Sequence, residues 1–165
     1  MAPGGRMSAP LSGGCQCGAV RYRIRGVPAN PHLCHCRMCQ KAAGNYFLPL
    51  GWVARADFTL TRGEPAWFRS SGMVRRGFCA ACGTPLFFEP LGGDGLNVTL
   101  GALDEPERVK PALQSGQNSR LSFFPALAAL PEEVETISAD WLAAVAQRTC
   151  QHPDHDTADW PPEED

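Results

Sequence analysis

Seven of the eight cysteines fall into three close groups: Cys15-Gln16-Cys17, Cys34-His35-Cys36-Arg37-Met38-Cys39 and Cys79-Ala80-Ala81-Cys82. Only Cys150 stands apart. Close thiols serve disulfides in an oxidising compartment and metal binding or catalysis in a reducing one. The first six residues, Met1-Ala2-Pro3-Gly4-Gly5-Arg6, lack the apolar stretch of a signal peptide. No run approaches the roughly 18 apolar residues of a membrane span. A cytoplasmic setting is therefore expected, with the three groups acting as metal ligands.

Structural zinc takes four tetrahedral ligands, commonly as two pairs from distant parts of a chain. Cys79-x-x-Cys82-Gly83 has the form of a knuckle, in which the spacer turns both sulfurs onto one ion and the glycine permits a left-handed turn. Cys15 and Cys17 supply the second pair, which makes one four-cysteine site.

Cys34, Cys36 and Cys39 are then left with three thiolates and no fourth. Either His32 or His35 closes a second structural site, or the fourth position stays open, as in catalytic zinc. A histidine between two ligands, as His35 is, tends to point the other way. Three thiolates leave a divalent ion with net negative charge and make it a weak Lewis acid, so an open position favours a further thiol held as thiolate. Lys41, two residues beyond Cys39, is placed to offset that charge or to hold a substrate carboxylate. Arg37 and Arg21 are further candidates for carboxylate clamps; no general base is identifiable, and His35 is the nearest candidate.

The elements that must position these groups are mostly short strands. Val20 to Arg25 alternates apolar and charged residues, which predicts a strand with one wet face. Strands are also expected within 44–53, with Pro49 at an edge or bulge, and at 58–61, 66–69, 73–78, 85–89 and 96–100. Asp104-Glu105-Pro106-Glu107 has the N-cap, early proline and N3 glutamate of a short helix. A second helix is expected from Ser138 to Arg148, packing Trp141, Leu142 and Val145. The class is mainly β with little helix. Residues 1–10 read as a disordered leader, 11–130 as the zinc domain, 131–150 as a helical extension and 151–165 as a loose acidic tail. At the junction with that tail, Cys150, His152 and His155 read as scattered polar residues more readily than as a metal site.

Thirteen arginines and two lysines against 17 acidic residues give a net charge of −2, with no dense basic patch. That balance argues against a nucleic-acid or membrane binder. The arginine bias is compatible with an acidic small-molecule ligand.

Taken together, Gly13-Gly14-Cys15-x-Cys17-Gly18, Cys34-His35-Cys36-x-x-Cys39-x-Lys41 and Phe78-Cys79-x-x-Cys82-Gly83-Thr84-x-Leu86 resemble the glutathione-dependent formaldehyde-activating family, also called the centromere protein V domain. The resemblance covers roughly residues 11 to 130. It implies a mainly β, tent-like fold stapled by zinc (a β-tent), with one Zn2+ on Cys15, Cys17, Cys79 and Cys82 and a second on Cys34, Cys36 and Cys39. The activity it implies is condensation of glutathione with formaldehyde to S-hydroxymethylglutathione, a carbon–sulfur lyase reaction. The chain departs from the family pattern at Gln114 and at Phe123-Phe124, where many members have a histidine and a tryptophan. Three functions are compatible with these residues: a zinc enzyme joining a small thiol to a small aldehyde, a non-catalytic zinc module or glutathione carrier, and a metal-free thiol redox protein.

Overall fold

The computed structural model describes residues 9–132 and 137–159. Most of the expected leader, the start of the helical extension and the last six residues of the tail lie outside the described residues. Ten strands form two sheets. The smaller sheet joins β1 (Leu11–Gly14), β2 (Arg21–Ile24) and β5 (Phe58–Arg62), all antiparallel. The larger has β3 (Ala29–Cys34), β4 (Leu48–Ala54), β6 (Ala66–Arg69), β7 (Val74–Phe78), β8 (Pro85–Pro90), β9 (Gly95–Thr99) and β10 (Leu113–Ser115), in the order β10-β3-β4-β9-β8-β7-β6. Two α-helices, α1 (Arg37–Ala43) and α2 (Ala139–Gln147), and short 3₁₀ turns complete the described residues, so the molecule is mainly β as expected.

Alternation builds the core. Tyr22 and Ile24 of β2, Phe87 of β8, Leu96 and Val98 of β9 and Leu11 of β1 bury their side chains together. Tyr22, Phe58 and Phe87 pack ring against ring at centroid distances of 5.3 to 5.6 Å, binding the small sheet to the large one. A satellite cluster of Cys39, Leu48 and Leu50, with Phe88 against it, lies under the middle cysteines.

Several expectations need correction. Pro49 is on neither an edge strand nor a bulge, because β4 is interior. It is tolerated because β9 pairs only from Leu50 onward, which leaves Pro49 facing Leu33 of β3 alone. The strands expected at 58–61 and 66–69 are present, and the turn between them carries the chain from one sheet to the other. Asp104 caps no helix. A 3₁₀ turn starts later, at Pro106, and the Asp104 carboxylate is taken by Arg21 and Ser12. Ser138 does cap α2 by accepting from the Trp141 amide, but Trp141 and Val145 remain about half exposed and do not pack as expected. The described part of the segment expected to be a loose tail is pinned: the His152 amide donates to Gln16 O (2.7 Å), and Asp156 pairs with Arg21 and Arg23. No described helix is long and apolar enough to cross a membrane.

Candidate metal centres

The strand ends place the outer cysteine pairs. Cys15 and Cys17 follow β1, where Gly18 takes φ +76°. Cys79 and Cys82 lie in the turn between β7 and β8, where Gly83 takes φ +78°. The Gly83 amide donates to Cys79 O, and Thr84 O accepts from the Cys79 amide, closing the knuckle. The four sulfurs converge within 4.8 Å of one another. The Cys15 and Cys17 sulfurs are 3.6 Å apart, and those of Cys17 and Cys79 are 3.7 Å apart. Such spacings are far beyond a disulfide bond of about 2.05 Å. They match the roughly 3.8 Å edge of a tetrahedron with metal–sulfur bonds of about 2.3 Å.

The protein tunes these thiols in opposite directions. Burial pushes Cys15 up to about 12, although the Val20 amide donates to its sulfur at 3.2 Å. Cys82 is also desolvated, yet hydrogen bonds from the Thr84 side chain and from backbone amides bring it down to about 6. An ion entering here must displace protons from the buried thiols, so metal affinity rises with pH.

The middle group is set by a strand-to-helix junction. Cys34 ends β3, Cys36 is the N-cap of α1 and Cys39 lies in its first turn, where the Cys39 amide donates to Cys36 Sγ (3.4 Å). These three sulfurs also fall within 4.8 Å, and no histidine or carboxylate of the described residues joins them. His32 is turned aside, with its Nδ1 on Asn30 O at 2.8 Å. His35 is wholly buried and points away. Its Nε2 meets Gln114 Oε1 at 3.0 Å, and its ring lies edge-on to Phe124 with centroids 4.5 Å apart. Gln114 and Phe124, where the chain departs from the family pattern, therefore hold His35 out of the cluster. Enclosed and committed to Gln114, His35 does not present its ring as a general base.

Strand β10 runs parallel to β3, setting Ser115 beside Cys34, and the His35 amide donates to Ser115 O. Gln40 ties this segment to α1 by donating to both His35 O and Ser119 O. Desolvation would raise Cys34, but the Ser115 hydroxyl and neighbouring groups more than offset it and hold the thiol below its usual range. Burial pushes Cys39 up to about 12, against the opposing pull of Arg76, whose Nη2 lies 3.4 Å from the sulfur.

Arg37 and Lys41 sit four residues apart on α1, hence on one face, and border a shallow cleft with Tyr46 and Leu121. Arg37 donates to Gln40 Oε1 at 3.0 Å, and Lys41 is exposed. Arg21 is elsewhere, locked between Asp104 and Asp156 and almost fully buried, so it is not a carboxylate clamp. Cys150 is exposed, and no metal cluster among the described residues includes it, His152 or His155. Arg76, Gln40 and Ser115 surround the middle group and are not among the residues expected there from the sequence. Arg75-Arg76 within a strand did carry a signal, since adjacent strand residues face opposite ways and one arginine had to point inward.

Residues 10–116 match the model of the family described as glutathione-dependent formaldehyde-activating enzyme. A Halomonas elongata protein provisionally named a glutathione-dependent formaldehyde-activating enzyme is 30% identical over 121 residues, covering 64% of this chain and 76% of that protein. A crystal structure of a Rhodobacter sphaeroides protein superposes with a TM-score of 0.52 at 18% identity, over 63% of this chain and 99% of that one, and shares the fold.

Proposed function

The chain belongs to the glutathione-dependent formaldehyde-activating family, and from that premise we propose that it joins a small thiol of the glutathione type to a small aldehyde at Cys34, Cys36 and Cys39. We assign zinc to both cysteine groups, because all-sulfur tetrahedral sets favour it. Cys15, Cys17, Cys79 and Cys82 hold a structural ion that staples β1 to the β7–β8 turn. Bound at the middle group, zinc supplies a fourth position and lowers the pKa of a thiol that enters it.

The observation that supports this reading is the shape of the middle group: three sulfurs within 4.8 Å, no fourth ligand among the described residues, and His35 drawn away by Gln114. In the reaction, the thiol sulfur bonds to the aldehyde carbon, the carbonyl π-bond breaks, and the oxygen takes up the proton that the thiol gave. The three cysteines orient the sulfur. On α1, Arg37 and Lys41 face the cleft where the carboxylates of a glutathione-like thiol would lie. The role is positioning, worth most when the thiol is correctly aimed at the carbonyl.

The test is exchange NMR with labelled formaldehyde and glutathione, which reads adduct formation against the uncatalysed background. Wild type should accelerate exchange. Cys36→Ser should return it to background while keeping the four-cysteine metal and the fold. A Cys36→Ser protein as active as wild type contradicts the proposal, and thiol binding without acceleration indicates a carrier instead.

A further inference from the structure

Two arginines are buried among the described residues, Arg21 at 3% exposure and Arg76 at 8%. Arg21 has two carboxylates, those of Asp104 and Asp156. Arg76 has none within ion-pair distance among the described residues. The nearest acid along its strand pair, Glu89, is taken by Arg55 and by Arg75, which is also stacked on Trp67 at 3.9 Å. Arg76 faces the other way. Its guanidinium lies over the ring of Phe88, directly across the β7–β8 register, at 5.1 Å, and it donates to Cys39 Sγ.

A guanidinium does not shed its proton in a protein, and a buried unpaired cation is costly. Among the described residues, the sulfur cluster is the one partner within reach whose groups can carry negative charge, as thiolates on a metal. We propose that Arg76 is the fixed countercharge of the three-cysteine cluster, a positioning residue that makes the site accept an anionic thiol. This rests on the metal reading given above. Three thiolates on a divalent ion carry one net negative charge, and an incoming thiolate makes it two. Arg76 removes one of these from inside the fold, where screening is weak. This is the role the sequence had offered to Lys41, which stands exposed at the far end of α1. The guanidinium also restrains Cys39 through an N–H···S bond, in the way that outer groups orient and tune metal ligands.

The test uses the full chain loaded with cobalt(II), whose absorption bands report sulfur ligation, titrated with glutathione. Relative to wild type, Arg76→Met should weaken thiol binding about tenfold or more and move the sulfur-to-cobalt charge-transfer band to lower energy. Arg76→Lys, which keeps the charge, should recover most of the affinity. Arg76→Gln, which keeps a donor without the charge, should bind thiol as weakly as Arg76→Met and serves if that variant does not fold. Retention of the four-cysteine cobalt bands checks the fold. Neutral variants that bind thiol with the wild-type constant and an unchanged band overturn the role of Arg76 and leave the site intact. A wild-type chain that takes only one cobalt overturns the site reading, and the role of Arg76 with it.

Discussion

At the residue scale, the placement of each charge follows from what surrounds it. Arg21 is held by Asp104 at 2.5 Å and Asp156 at 2.9 Å, so it serves the fold. Removing one partner of such a buried set would cost about 3–5 kcal/mol. His152 is buried against the first cysteine turn, where its ring approaches Gly18 and its Nε2 meets Thr157 Oγ1 and Arg62. Burial and the neighbouring Arg21 and Arg62 hold its pKa below the ordinary 6.5, against the opposing pull of the Pro153 carbonyl and Asp104. The undocked segment therefore binds the proton more readily than the docked one. Docking of residues 151–157 should be complete above pH 6.5 and weaken as the pH falls below it. NMR titration of the His152 ring, with protection of its amide, checks this. A midpoint at or above 6.5 contradicts it.

At the scale of elements, the decisive one is β10 with the turn that follows it. Gly116 takes φ +65°, and a Cβ there would stand 2.6 Å from the Cys36 amide nitrogen. Gly116→Ala must therefore strain the backbone by roughly 1–2 kcal/mol and push the turn off Cys36. We expect about tenfold weaker metal binding at the middle cysteines with the four-cysteine site unaffected, read by competition with a chromophoric chelator. Unchanged affinity at both sites would count against a role for this turn. The same element shows where the sequence stopped being informative. Cysteine spacing was enough to pair Cys15 and Cys17 with Cys79 and Cys82, because spacers of one or two residues and the glycines after them encode ligand geometry locally. Alternation marked β2, and the proline and glycine turns marked most other strands. The parallel pairing of a three-residue strand with β3 has no local signature. Nor does a polar segment reaching back across the chain, as Asp156 does to Arg21. Both are decided by long-range partners, and so was the fate of Asp104, which has a good capping sequence but a better ion pair.

At the scale of the whole molecule, the two cysteine groups occupy different mechanical positions. The four-cysteine group joins the start of the small sheet to a turn of the large one, beside the main core. The middle group lies over its own small apolar cluster, at the junction of β3 and α1. With both groups loaded as proposed, one ion would hold the fold while the other exchanges ligands. We take the domain to run over 11–130, since Phe124 in the last 3₁₀ turn still packs on His35. On the function proposed above, the middle metal has a position open to a thiol. Zinc X-ray absorption on the two-zinc protein, with and without glutathione, addresses it most directly. One site with four sulfurs and one with three give a mean of about 3.5 sulfurs per zinc, rising to about 4 when thiol is added. A mean that glutathione leaves unchanged would show that the middle site has no position open to a thiol.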